Sequence, residues 1–272
     1  MKNFHPRLLP AAAAVVGALA AMIVGRSVQA HEYWLDPVQF VAKAGDSIPI
    51  VHRNGMNFLG DSYPYEKART RRFAVIDARG ERPIKAVDGD DPAADADVPN
   101  DGLAIIAFER APDRITHPTL AKFADTLDGE GLEHVVVQHS AEALPAVDIR
   151  EDYARFAKTL IKVGSGKGQD RAVGLAFELV VEGNPYELAA GAPVQARVLH
   201  RGKPLPNVLV KAFNRADPQL PRSARSDAAG LVSLAGVPPG EVLLSAVIMM
   251  RAEPSTNAVW TSQWASVTFK RP

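Results

Sequence analysis

The sequence has 272 residues, with 31 Lys plus Arg against 31 Asp plus Glu, 47% hydrophobic residues and no cysteine. A formal charge of zero excludes the broad basic field that a nucleic acid or an anionic membrane surface requires of its partner. The lack of cysteine excludes disulfides, thiolate metal sites, a cysteine nucleophile and a lipoprotein anchor, so any metal is expected on nitrogen and oxygen ligands.

The chain opens as an export signal. Lys2 and Arg7 give a positive start, Leu8 to Val24 an Ala-rich apolar run, and Val28-Gln29-Ala30 the small residues that signal peptidase accepts. Residues 1–30 are therefore expected to be a signal peptide cleaved after Ala30, which places the mature protein in the periplasm with His31 as its first residue. No later run reaches the roughly 18 apolar residues of a membrane span, so none is expected in the mature chain. A free α-amine and the imidazole Nδ1 of the same residue can close one chelate ring on a metal ion. Their ordinary pKa values, roughly 7.7 to 8.0 and 6.5, make the loss of both protons to a metal inexpensive near neutrality. The alternative is that His31-Glu32-Tyr33-Trp34-Leu35 simply begins the first strand.

Residues 31–147 carry short β-segments separated by turn residues, as in an antiparallel sandwich. Tyr33 to Leu35, Ser47 to Arg53, Arg72 to Asp77, Leu103 to Phe108 and His134 to His139 are the expected strands, with turns at Ala44-Gly45-Asp46, Arg53-Asn54-Gly55 and Ala78-Arg79-Gly80. The acidic run Asp88 to Asp97 lacks EF-hand spacing because Pro92 and the alanines interrupt it, and it is expected to be a solvated loop. Thr119 to Leu127 is expected to be a short helix with Leu120, Phe123 and Leu127 on one face.

Residues 148–186 are expected to hold a helix and a linker. Asp148 and Glu151 have capping-box spacing, and Ile149, Tyr153, Phe156, Ala157, Leu160 and Ile161 recur at helical spacing, which predicts a helix over 149–163. Gly164-Ser165-Gly166-Lys167-Gly168 follows a helix in this reading and lacks Ser or Thr after the Lys, so it is a linker and not a phosphate loop. From 187 to 272 the β pattern resumes. Strands are expected at Val194 to Val198, Val208 to Phe213, Leu231 to Leu234, Glu241 to Met249 and Val259 to Phe269, with a polar loop after Phe213.

Outside the leader there are six histidines, His31, His52, His117, His134, His139 and His200, and no pair has HExxH spacing. In a strand, His134 and His139 face opposite sides, so one of them rather than both is expected to serve a metal. His52 is in phase with Ile48 and Ile50 and reads as a core or edge histidine. His117 and His200 read as surface residues. Trp260 and Trp264 lie on one face of the last strand as core or interface aromatics. No GxSxG elbow supports a serine hydrolase.

Two resemblances add to this. Gly202-Lys203-Pro204-Leu205-Pro206-Asn207-Val208-Leu209-Val210, Ser226-Asp227-Ala228-Ala229-Gly230 and Pro238-Pro239-Gly240-Glu241 resemble transthyretin-like and carboxypeptidase-regulatory-like modules, which are typically not enzymes. His31 to Pro37, Glu130-Gly131-Leu132-Glu133, Arg150 to Lys158, Asn184-Pro185-Tyr186 and Trp264 to Phe269 together resemble a bacterial exported family filed as a domain of unknown function. That family is often labelled the periplasmic component of a cobalt or nickel uptake system. Members often carry a histidine near the end of the penultimate strand, where this chain has Val247-Ile248-Met249-Met250.

The expected fold is all-β: two β-sandwich domains, Ig-like or transthyretin-like, joined by a segment with one amphipathic helix. The expected function is that of a non-enzymatic periplasmic accessory protein binding a divalent metal. The resemblance implies nickel or cobalt and a metal-uptake transporter as partner, while copper or zinc would also suit such ligands. His31 leads the metal candidates, followed by His134 or His139, with Glu32 and His52 behind. The alternatives are a structural or interaction module of the envelope without a metal, and a histidine-brace copper enzyme, which needs a second histidine beside His31.

Overall fold

A computed structural model describes Met1 and residues 32–272; the expected leader and His31 lie outside the described residues. In chain order the strands are β1 (Glu32–Pro37), β2 (Val41–Ala42), β3 (Asp46–Met56), β4 (Leu59–Tyr63), β5 (Thr70–Asp77), β6 (Gly80–Pro83), β7 (Ala94–Val98) and the long β8 (Gly102–Thr119). Two helices follow, α1 (Leu120–Leu127) and α2 (Glu133–Ala141), and then β9 (Val147–Val163). The rest are β10 (Phe177–Val181), β11 (Val194–His200), β12 (Lys203–Pro204), β13 (Leu209–Asn214), β14 (Asp217–Arg225), β15 (Leu231–Leu234), β16 (Gly240–Arg251) and β17 (Trp260–Arg271).

These strands form three sheets. β1, β3, β4 and β7 make one four-stranded sheet, and β10, β11, β12 and β15 make another. The order β14-β13-β16-β17-β9-β8-β5-β6, with β2 beside β9, makes a nine-stranded sheet between them. Alternation along β8 shows why it is central. Ala104, Ile106 and Phe108 enter a core with Tyr33, Ile48 and Ile50 of the first small sheet. Leu103, Ile105 and Ala107 enter a core with Phe177, Ala196 and Val198 of the second. The fold is therefore all-β, with two sandwiches that share one wall.

Burial on both faces also explains the main departure from expectation. Residues 149–163 form β9, not a helix. Ala154, Phe156 and Leu160 face one core while Ala157, Ile161 and Val163 face the other. Two interleaved patterns of period two pass for one of period 3.6 when neither face is polar. Asp148 has a φ of 50° and Glu151 pairs with His117, so no capping box forms. Of residues 148–186, expected as helix and linker, 147–163 and 177–181 are strands, and 164–176 between them are loop.

Three smaller corrections follow. His134 to His139 belongs to α2, not to a strand, and the last residues of the acidic run form β7, paired with β3. The expected polar loop after Phe213 contains β14, which pairs with β13. The short helix forms as expected, with Thr119 as its N-cap accepting from Lys122 N at 3.2 Å.

Helices α1 and α2 connect β8 to β9 and fold back over the far end of the central sheet. There Phe123, Leu127, Leu132 and Val135 pack on Val247, Met249, Trp260 and Trp264. Each fully buried side chain of this size contributes about 1.5–3 kcal/mol, enough to fix two helices too short to persist alone.

Candidate functional site

Two of the four histidines expected at a metal, His52 and His139, have structural roles. His52 sits in the first core, its ring centroid 4.4 Å from that of Phe108, 5.2 Å from Phe73 and 5.6 Å from Tyr33. Burial drives its pKa down to about 3, with Arg110 acting in the same direction, and its Nε2 has no partner among the described residues. His139 is buried on α2 and uses both nitrogens: Trp260 Nε1 donates to Nδ1 at 3.0 Å, and Nε2 donates to the Pro145 carbonyl at 3.0 Å. His117, expected at the surface, is buried with its Nε2 2.8 Å from Glu151 Oε2. The other oxygen of Glu151 accepts the Ser262 hydroxyl. Serine and histidine thus bind opposite oxygens of one carboxylate, so Glu151 stands between them and the order is not the serine–histidine–acid order of a hydrolase triad.

Glu32 opens β1 and is buried. Lys211 Nζ lies 3.5 Å from its Oε1 and 2.6 Å from Glu130. Burial is the main influence on the Glu32 carboxyl and pushes its pKa up, against Lys211, which pulls it down, while Glu130 adds to the rise. The structure does not gather His52, His139 and Glu32 at one point, and among the described residues no group of three or more His, Asp or Glu could hold a metal.

His134 differs from these in keeping an exposed imidazole on α2. It lines a pocket of about 230 Å³ together with Leu132, His200, Leu209, Met249 and Met250. Strand pairing accounts for the opening: β13 leaves β16 after the Val210–Ala246 pair, so Val247 to Met250 run on without a partner on that side while Leu205 to Val208 diverge. His200, expected as a surface residue, is half-buried at the end of β11, and its Nε2 is sealed with no partner among the described residues. Burial, helped by Arg201, lowers its pKa and keeps the ring neutral. The pocket is lined by two histidines and by both methionines, whose side chains leave opposite faces of β16, Met249 joining the core under α1 and α2 and Met250 packing against the core of the second sandwich. The adjacent methionines at the end of the penultimate strand were the sequence signal for it.

A second polar cluster escaped the sequence reading. Arg155 on β9 and Arg110 on β8 are register partners on the face that packs against the first small sheet. The Arg155 guanidinium carbon lies 5.5 Å from the centroid of the Tyr33 ring and 5.1 Å from that of Tyr153. Arg110 pairs with Glu66 and stacks on Tyr63 at 5.1 Å, and Arg69 pairs with Asp113 and Glu66. Tyr153 lies within Arg150 to Lys158 and Tyr33 within the opening strand, but only the antiparallel pairing of β8 with β9 and the crossing of β1 bring them together.

A family model described as Domain of unknown function (DUF4198) matches residues 28–249, and that description assigns no activity, metal or partner. No curated protein matches. Among solved structures, the D0-D1 domain of Intimin is similar at 13% identity over 88% of this chain and 97% of that one, with a TM-score of 0.20. A tetra-tandem repeat in the extending region of a large adhesion protein is similar at 11% identity over 90% of this chain and 50% of that one, with a TM-score of 0.22. At such TM-scores neither likeness bears on function.

Proposed function

We propose that this chain, which belongs to the DUF4198 family, is a non-enzymatic periplasmic accessory protein that binds a transition-metal ion and assists an uptake transporter of the nickel or cobalt kind. The observation that supports the metal reading is that His134 and His200 line one pocket, with the Nε2 of His200 unpartnered among the described residues. A ligand must be deprotonated to bind, and the lowered pKa of His200 means that a metal displaces no proton from it near neutrality. Imidazole ligands suit borderline divalent ions, so nickel is favoured over cobalt and copper over both.

Calorimetric titration with nickel, cobalt, copper and zinc tests the reading on the chain beginning at His31. His134→Ala with His200→Ala is expected to weaken binding at least tenfold. His31→Ala examines the amine and imidazole chelate in the same titration, and intact mass of the exported protein shows whether cleavage falls after Ala30. Binding unchanged in all variants rules out both sets of ligands. No binding by the parent chain favours a structural or interaction module of the envelope.

A further inference from the structure

The two partners of His139 fix where its proton sits. The indole N–H of Trp260 can only donate, so Nδ1, 3.0 Å away, carries no hydrogen. The carbonyl of Pro145 can only accept, so Nε2, also at 3.0 Å, carries one. One neutral tautomer satisfies both bonds, whereas an imidazolium sets an Nδ1–H against the indole N–H. The rings are enclosed: His139 is 1% exposed and Trp260 0%. Phe123 lies against both, with ring centroids 5.5 and 6.2 Å away.

This bond ties the helical pair to the central sheet, since His139 belongs to α2 and Trp260 to β17. The ion pairs that also join them, Arg251 with Glu142, Arg225 with Glu133 and Lys211 with Glu130, all use more exposed side chains. Two other charged groups approach the site from the sheet. Arg251 of β16 stacks on the Trp260 ring at 5.1 Å, bringing a permanent positive charge that repels a second one on His139. His117 of β8, paired with Glu151 of β9, packs on Phe123 with ring centroids 5.1 Å apart. Five residues before His139, on the same helix, His134 forms part of the pocket wall facing Leu209 and Met249. Lifting α2 from the sheet therefore opens that pocket.

We propose that His139 is an acid-operated latch: its protonation breaks the bond to Trp260, releases α1 and α2 from the central sheet and opens the pocket that His134 lines. Linkage sets the sign. The docked helices exclude the imidazolium, whereas a ring released to water takes up its proton at the ordinary histidine value of about 6.5. Docking is thus intact above that pH and weakens below it, by up to about tenfold per pH unit and about thirtyfold in the opening equilibrium between pH 7.5 and pH 5. The latch stands whatever ligand the pocket takes; if the ligand is the metal ion of the proposed function, acid couples to its release.

Hydrogen exchange of the full chain, with no metal added, is followed from pH 7.5 to pH 5 and corrected for the intrinsic pH dependence of amide exchange. The amides of α1 and α2 are expected to lose protection by up to about thirtyfold, while Ile105 to Phe108 of β8 keep theirs. His139→Gln retains one acceptor and one donor without a titrating ring, so its helices should show no such loss, even if their protection at pH 7.5 is already lower. His117→Gln, which removes the other histidine on Phe123, should respond like the parent. Imidazole nitrogen NMR of the parent should show hydrogen on Nε2 alone while the helices are docked. The latch is overturned by constant protection in the parent, by an equal loss in His139→Gln or in β8, by a response that His117→Gln abolishes, or by a doubly protonated His139 within protected helices.

Discussion

Lys158→Met provides a demanding test of the packing between the central sheet and the second small sheet. Lys158 is fully buried, with its Nζ 2.9 and 3.1 Å from the oxygens of Asp170, 3.1 Å from Glu178 and 3.3 Å from the Arg171 carbonyl. The acids cannot turn away. Backbone N–H groups of Arg171 and Val181 hold Asp170 at 2.8 Å, and those of Val173, Gly174 and Leu175 hold Glu178 at 2.8 to 3.2 Å. Removing the cation leaves two carboxylates facing one another in an apolar core, and breaking a buried pair in this way costs about 3–5 kcal/mol. With a urea slope of about 3 kcal/mol per molar, the unfolding midpoint falls by about 1–1.7 M. The deficit also depends on pH. Burial raises the Asp170 pKa, the more so without Lys158, so the folded state binds a proton more readily than the unfolded one. Stability is then lost as pH rises from the ordinary carboxylate range, and the deficit of the variant against its parent shrinks between pH 7 and pH 5. Equilibrium urea unfolding of both proteins at the two pH values measures it. A deficit below about 1 kcal/mol, far under the range for broken buried pairs, or one that grows on acidification, refutes the reasoning.

His52→Phe should be nearly neutral at pH 7, because the ring already packs among Phe108, Phe73 and Tyr33. Its effect appears in acid. The native pKa of about 3 lies below the ordinary histidine value, so the unfolded state takes up the proton first and the parent loses stability as pH falls from about 6.5 toward 3. The variant should lack that share of the slope, up to about 1.4 kcal/mol per pH unit, and identical acid-unfolding curves would refute the assignment. Trp260→Phe leaves Nδ1 of His139 without its donor beneath α2 and should cost about 1–3 kcal/mol. Hydrogen exchange should show the loss most strongly in α1 and α2, whose Phe123, Leu127 and Val135 share that core.

Legibility followed the number of faces a segment buries. β11, β13, β15 and β17 were readable because their alternation or composition is unambiguous, and Trp260 and Trp264 fell on one face as expected. β9 was misread because burial on both sides removes the polar phase that separates strand from helix. α2 was misread for the converse reason: its run of three β-branched valines is held helical by the packing of Val135 and Val136 in the core with Trp260 and Met249, a tertiary override of local preference. Of the site candidates, His52 was readable as core from its phase with Ile48 and Ile50. The burial of His117 was not, because its partner Glu151 lies across a strand pair whose register no local pattern encodes. Arg155 was missed for the same reason, since an arginine in a presumed helix has no visible deficit of partners until its neighbours across the sheet are known.

The parallel pairing of β17 with β9 has a kinetic consequence. Trp260 to Thr268 occupy the slot between β9 and β16, pairing on one side with Glu151 to Thr159 and on the other with Leu243 to Arg251. Until that segment arrives, β9 presents an open edge, and the shared wall is split between β9 and β16. A sheet closed at its centre by a strand so distant in sequence pays most of its loop-closure entropy before the contacts repay it, which makes folding slow. A partly folded chain would therefore expose an aggregation-prone template along β9 until residues 260–271 dock.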